Sequence, residues 1–161
     1  MVQMDGSHHA WFEDRGTKCV FMGYIDDATN RVYGSFYGYE GTIPAMDSFK
    51  RYIMKYGIPM SVYLDKQTTY KSPAKPTIED EINGREALSE FGRTLKELSV
   101  QLIHANSPQA KGRVERLFQT LQDRLVKEMR LRNISTIEEA NKFLDQYLSV
   151  IMKNLHSRRG N

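Results

Sequence analysis

Lys18-Cys19-Val20-Phe21-Met22-Gly23-Tyr24-Ile25, then Asp26-Asp27-Ala28-Thr29-Asn30, then Arg31-Val32-Tyr33-Gly34-Ser35-Phe36-Tyr37-Gly38-Tyr39, decide the fold. The first and last of these runs are rich in β-branched and aromatic residues, the composition of strands. The segment between them carries Asp and Asn, whose side chains close turns on their own backbone. The pair therefore reads as a hairpin. Val2 to Asp5, just upstream, is short and extended, and makes it a three-stranded antiparallel meander.

Downstream the period changes. Thr42 can cap a helix from about Ile43 to Tyr56, with Pro44 tolerated in the first turn and Gly57 stopping it. Met60-Ser61-Val62-Tyr63-Leu64 is a short apolar strand that ends at Asp65. Residues 66–86, with Pro73, Pro76 and Gly84, read as a polar loop or insertion. Ala87 to Leu98 is helical, and Val100 to His104 is a fifth strand. Residues 106–112 read as a loop, Arg113 to Arg132 as a long helix, and Ser135 with Glu138 as a capping box opening a last helix. The order βββαβαβαα predicts an α/β fold with a mixed five-stranded sheet, three strands antiparallel and two parallel, and helices on both faces. Strands reached by helical crossovers run parallel to the first. Residues 1–156 are expected to be one domain and 157–161 a linker stub.

The chain has 161 residues, 40% hydrophobic and 27% charged, which suits a single globular domain. No apolar run approaches the roughly 20 residues that span a bilayer. Met1 to Asp5 has no signal-peptide pattern, and Cys19 is the single cysteine, which excludes an internal disulfide and a multi-cysteine zinc site. A reducing, cytoplasmic location is expected. Charge is uneven: residues 1–100 carry a net −2 and residues 101–161 a net +5. The basic half permits a polyanionic partner, though charge alone favours a solvated helix surface.

Asp5 and Asp65 each stand where a strand is expected to give way to a loop. Ligands of open α/β sheets bind at the carboxyl ends of parallel strands. If the first and fourth strands are neighbours, the two carboxylates converge; taken alone, Asp65 is as well explained as a turn or cap residue. The long helix puts Val114, Leu117, Phe118, Leu121 and Leu125 on a core stripe, and Glu115 lies about 100° round from Val114, flanked by Gln119 and Gln122. Glu115 is also expected in the first turn, where the helix dipole favours an acid without any function. Three convergent carboxylates need a cation, and hard oxygen donors suit Mg²⁺ or Mn²⁺. Two such ions about 4 Å apart can clamp an in-line phosphoryl displacement with no protein nucleophile. The sequence has no nucleophile elbow, no phosphate-cradling glycine loop and no His-rich zinc pattern.

Met4-Asp5-Gly6, the Tyr63-Leu64-Asp65 strand end and Asn106-Ser107-Pro108-Gln109-Ala110-Lys111-Gly112-Arg113-Val114-Glu115-Arg116 together resemble the catalytic core of the DDE transposase and retroviral integrase superfamily. Phe12 to Gly16 and Ile25 to Thr29 are similar to insertion-sequence transposases of the integrase-core type, the group called ISNCY. The resemblance spans nearly the whole chain. It implies an RNase H-like fold, a catalytic and metal-binding triad of Asp5, Asp65 and Glu115, two Mg²⁺ or Mn²⁺ ions, cleavage of double-stranded DNA at element ends, 3′-hydroxyl strand transfer, and a homo-oligomer. Two departures stand out. Many members have a shorter separation between the second Asp and the Glu, whereas 49 residues lie between Asp65 and Glu115. Retroviral members carry lysines one and two turns past the Glu, where this chain has Gln119 and Gln122.

The remaining expectations concern DNA. Lys111, Arg113 and Arg116 are expected to contact phosphates, Asn106, Ser107 and Gln109 to position a DNA end, and Gln119 and Gln122 to make neutral phosphate contacts. Asp26 and Asp27 are read as turn residues. His8 and His9 follow Asp5 closely and could approach the metal site or be plain exposed residues, and His104 is a candidate contact behind it. Trp11 and Phe12 could stack bases but fit a core better. Lys127, Arg130 and Arg132 are read as surface charge. Rival readings are a stand-alone RNase H-like nuclease or resolvase, and an inactive DNA-binding or oligomerisation module.

Overall fold

The computed structural model describes residues 1–26, 28–64, 78–104 and 108–157. The strands are β1 (Val2–His9), β2 (Cys19–Asp26), β3 (Val32–Tyr37), β4 (Ser61–Leu64) and β5 (Gln101–His104). The helices are α1 (Thr42–Tyr56), α2 (Ile78–Glu97), α3 (Pro108–Leu131) and α4 (Ile137–Ser157), with a single 3₁₀ turn at Glu13–Arg15. One five-stranded sheet has the order β3-β2-β1-β4-β5. Pairs β1–β2 and β2–β3 are antiparallel, while β1–β4 and β4–β5 are parallel, as expected.

Strand alternation splits the core into two layers. Val2 and Met4 of β1, Val20, Met22 and Tyr24 of β2, and Val62 and Leu64 of β4 pack with Phe49 and Tyr52 of α1 and Phe91 and Leu95 of α2. On the other face Cys19, Phe21 and Phe36 pack with Trp11, Phe12, the α3 stripe Phe118, Leu121, Leu125 and Met129, and α4. Trp11 and Phe12 are fully buried there, which settles them as core residues. The Cys19 thiol is buried too, and burial pushes its pKa up to about 12.

Several boundaries differ from the sequence reading, and each difference has a cause. Strand β1 runs on to His9, because its pairing with β2 continues to His9↔Cys19 although Asp5 to His9 is polar. Helix α2 starts at Ile78, so the second half of the expected 66–86 loop is helical; burial of Phe91 and Leu95 anchors it against the roughly 1 kcal/mol cost of Gly84. Helix α3 starts at Pro108, five residues early, since proline suits a first helical position. Thr42 opens α1 without capping it, the flanking position being Gly41. The capping box of α4 is shifted by one residue: Glu139 N–H donates to Thr136 Oγ1 at 3.2 Å, and Thr136 Oγ1 donates to Glu139 Oε1 at 2.8 Å. Asp26 does close its turn, accepting from Ala28 N–H at 2.9 Å, whereas Asp27 lies outside the described residues.

Candidate active site

Strand β1 has a different character on each face. Val2 and Met4 enter the apolar α1/α2 layer, while Gln3, Asp5 and Ser7 alternate onto the α3 side. Asp5 is half-buried, and its Oδ1 accepts from Gly6 N–H at 2.8 Å. The strand does not end at Asp5, contrary to the sequence reading. The edge forms on the neighbour instead: β4 stops at Leu64, whose register partner is Met4. Asp5 is thus the first β1 residue beyond the parallel pairing, and Asp65 is the first residue after β4. Asp65 lies outside the described residues, as do Asn106 and Ser107.

Helix α3 is seated across this edge at two points. Gln122 Nε2 donates to Ser7 Oγ at 3.0 Å. Phe118 packs over Gly23, the register partner of Asp5; a methyl group on Gly23 would stand 2.8 Å from the Phe118 ring. Passing along α3 from Gln122 to Phe118 therefore follows β1 from Ser7 back to the level of Asp5. Glu115 is one turn further and exposed. It is the eighth residue of α3, about two turns in, and not in the first turn. The helix dipole acts within that first turn, so it does not account for an acid at position 115.

The expected DNA-contact residues divide. Arg116 and Gln119 are exposed on α3. Gln109, Lys111 and Arg113 belong to the first two turns of the helix rather than to a loop. Gln122 is half-buried and spends an amide N–H on Ser7, so it docks the helix. Lys127, Arg130 and Arg132 are ion-paired with Asp123, Glu13 and Glu128, in keeping with surface charge. Glu13, gripped by Arg130 and Arg15, has its carboxyl held down to about 2.

Sequence reasoning missed three polar residues beside the site. Gln3 and Tyr63 are register partners on β1 and β4, both nine-tenths or more buried, and neither Gln3 Oε1 nor the Tyr63 hydroxyl has a hydrogen-bond partner among the described residues. They lie two positions before Asp5 and Asp65 and form a polar floor there, where an apolar one would be cheaper. Only the register could have exposed them. Glu40, on the loop between β3 and α1, pairs with His8, 32 residues away. His9 instead sets its ring edge-on to Trp11, with centroids 5.2 Å apart, and burial lowers its pKa, so it belongs to the packing. His104, at the end of β5, is the register partner of Leu64.

Among the described residues no three metal-ligating side chains cluster; the second aspartate expected in the triad lies outside them. No protein-family model matches the chain. It is 39% identical over 149 residues to y4bF of Sinorhizobium fredii, which carries the name of a transposase, covering 92% of this chain and 32% of that protein. It is 37% identical over 151 residues to the transposase for insertion sequence IS1202 of Streptococcus pneumoniae, covering 92% and 31%. The chain thus spans about a third of the length of the curated relatives it matches. Its fold is similar to the HTLV-2 integrase catalytic core domain solved in complex with magnesium (TM-score 0.62, 16% identity, 88% of this chain and 78% of that one). It is similar as well to the catalytic core domain of BIV integrase (TM-score 0.60, 17% identity, 88% and 77%). By sequence this chain is thus similar to a part of two transposases, and by fold to retroviral integrase catalytic cores.

Proposed function

We propose that the chain is the catalytic core of a DNA transposase that cleaves phosphodiesters at element ends and joins the freed 3′-hydroxyl to target DNA, with Asp5, Asp65 and Glu115 as its catalytic and metal-binding residues. The observation that carries this is the strand register: Met4 pairs with Leu64, and the next residue on each chain segment is an aspartate. The seating of α3 at Gly23 and Ser7, with Glu115 one turn beyond Phe118, supports Glu115 as the third acid. The donor set is all carboxylate, which fits Mg²⁺ or Mn²⁺, two ions in the active complex. When bound, such ions supply Lewis-acid chemistry to the attacking and leaving oxygens of a phosphodiester.

The chain's own part is positional. Strand β1 holds the Asp5 carboxylate rigidly, with Gly6 N–H fixing one oxygen. Helix α3 brings Glu115 as the third acid and presents Arg116 and Gln119 to the DNA backbone. Lys111 and Arg113 are assigned further phosphate contacts, and Asn106, Ser107 and Gln109 the positioning of a DNA end. Residues 1–156 act as the core, and we assign the recognition of end sequences to polypeptide outside the match. Double-stranded DNA and a homo-oligomer are the proposed partners, and the bacterial cytoplasm, at the nucleoid, the proposed place of action. No helix among the described residues is long and apolar enough to cross a membrane.

The test is cleavage and strand transfer on duplexes carrying the element's own ends, using the full transposase polypeptide. The proposal expects Mg²⁺-dependent joining of 3′-hydroxyl ends, lost in Asp65→Asn with the fold intact. Cleavage without joining would identify the nuclease alternative. An Asp65→Asn protein as active as wild type would refute the site.

A further inference from the structure

On the side of the sheet that faces α3, the strand register lays side chains out in rows. One row reads Val32, Ile25, Gln3, Tyr63 and Ile103, from β3 across to β5. The next row, toward the carboxyl ends of the parallel strands, reads Gly34, Gly23 and Asp5. Alternation fixes the face. Val2, Met4, Val62 and Leu64 enter the α1/α2 layer, so Gln3, Asp5 and Tyr63 turn the other way.

The first row is apolar at its flanks and polar only at its centre. Ile25 and Val32 are 6% and 4% exposed, and Gln3 and Tyr63 are buried nearly as deeply, at 4% and 9%. Yet Gln3 Oε1 and the Tyr63 hydroxyl have no hydrogen-bond partner among the described residues. Unpaired buried polar atoms cost free energy that aliphatic residues continuing the row would avoid. Packing therefore does not account for them, whereas their place does. Each lies two positions before a proposed metal ligand, Gln3 before Asp5 and Tyr63 before Asp65. One offers an acceptor and the other a donor, both neutral, which is the pairing that seats a water. Two residues along a strand are about 7 Å apart, and a water with two hydrogen bonds of about 2.8 Å each spans most of that step.

We propose that Gln3 and Tyr63 are positioning residues of the site, which together hold one ordered water beneath Asp5. Tyr63 O–H donates to this water, Gln3 Oε1 accepts one of its hydrogens, and the Asp5 carboxylate accepts the other. This rests on the transposase reading above. Gly6 N–H already fixes Asp5 Oδ1 from the strand. The water fixes the carboxylate from below, so that it meets a divalent ion in one orientation. Outer partners of this kind set the affinity of a metal site without touching the ion.

The experiment compares wild type, Tyr63→Phe, Gln3→Met and the double variant in the full polypeptide, each bound to a duplex carrying an element end. Both substitutions keep the shape of the side chain and remove its hydrogen bond. The readouts are the Mn²⁺ dissociation constant, from the paramagnetic resonance of free Mn²⁺ with the duplex alone as blank, the metal-free melting temperature, and cleavage across a Mn²⁺ titration. Each single variant is expected to weaken Mn²⁺ binding about tenfold. The melting temperature should be unchanged or higher, and cleavage at saturating Mn²⁺ near that of wild type. Because both residues act through one water, the double variant should match the weaker single variant rather than multiply the two losses. Wild-type Mn²⁺ affinity in folded Tyr63→Phe, beside a wild type that binds Mn²⁺ and cleaves, overturns this inference and leaves the transposase reading standing. Losses that multiply in the double variant overturn it as well. Should Gln3→Met fail to fold, Tyr63→Phe, which removes a single oxygen, decides. A wild type that neither binds Mn²⁺ nor cleaves DNA removes the underlying reading, and this inference with it.

Discussion

The two faces of β1 are built for different ends. Toward α1 and α2 the strand offers Val2 and Met4 to a layer that also holds Phe49, Tyr52, Phe91 and Leu95. Toward α3 it offers Gln3, Asp5 and Ser7, one residue out of phase; α3 meets this stretch of β1 through the Gln122–Ser7 bond, while its stripe of Phe118, Leu121, Leu125 and Met129 packs with Phe21 and Phe36 of the neighbouring strands. An apolar alternative at Gln3 would avoid an unpartnered buried oxygen. Strand β1 thus turns its apolar side chains to one face and its polar ones to the other, and a period-2 element lets both coexist on the same strand.

The sharpest way to break this comparison is chemical. Asp5→Asn, on the polar face, is expected to lower Mg²⁺-dependent cleavage by roughly a thousandfold or more, beyond the 10–100-fold typical of groups one step removed from a metal, with little change in melting temperature. Phe49→Ala, on the apolar face, is expected to do the reverse: a loss of about 3–5 kcal/mol in unfolding free energy by denaturant titration, with cleavage by the surviving folded fraction near normal. Gly23→Ala belongs to both categories. Its methyl group would meet Phe118 at 2.8 Å and lift α3, so about 1–3 kcal/mol and a large part of the activity should go together. Gln122→Ala is milder, about 1 kcal/mol, from the bond to Ser7.

The smallest effect is electrostatic and lies away from the site. Glu13 has a folded pKa of about 2, below its ordinary 4.5, because Arg130 and Arg15 hold the charged form. A lowered folded pKa means the contribution is fully present above about pH 4.5 and is lost as pH falls toward 2. The pair is solvent-exposed, so the effect is small. Arg130→Ala should flatten the stability-versus-pH curve in that window, a difference readable by urea titration at pH 6 and pH 3.

Much of this architecture was legible in the residues because burial leaves a period. The five strands, their parallel and antiparallel senses, and the adjacency of β1 and β4 all follow from apolar runs and the need for crossovers. The extent of β1 was not legible, since Gly6 to His9 is polar and stays extended only through β2. The start of α3 was hidden by Pro108 and Gly112, which read as loop residues but lie within the helix. Because α3 starts at Pro108, Glu115 stands beyond the reach of the helix dipole. Glu40 with His8, and Gln3 beside Tyr63, are long-range pairings that no local pattern announces.

The central claim is that Asp5, Asp65 and Glu115 share divalent ions at the end of β4. A crystal structure of the core with Mn²⁺ and a DNA end, read by anomalous scattering, tests it most directly. The account predicts two metal peaks, one bridged by Asp5 and Asp65 and the other completed by Asp5 and Glu115. Ions bound elsewhere, with the Glu115 carboxylate pointing away from Asp5 while DNA occupies the crevice, would contradict it.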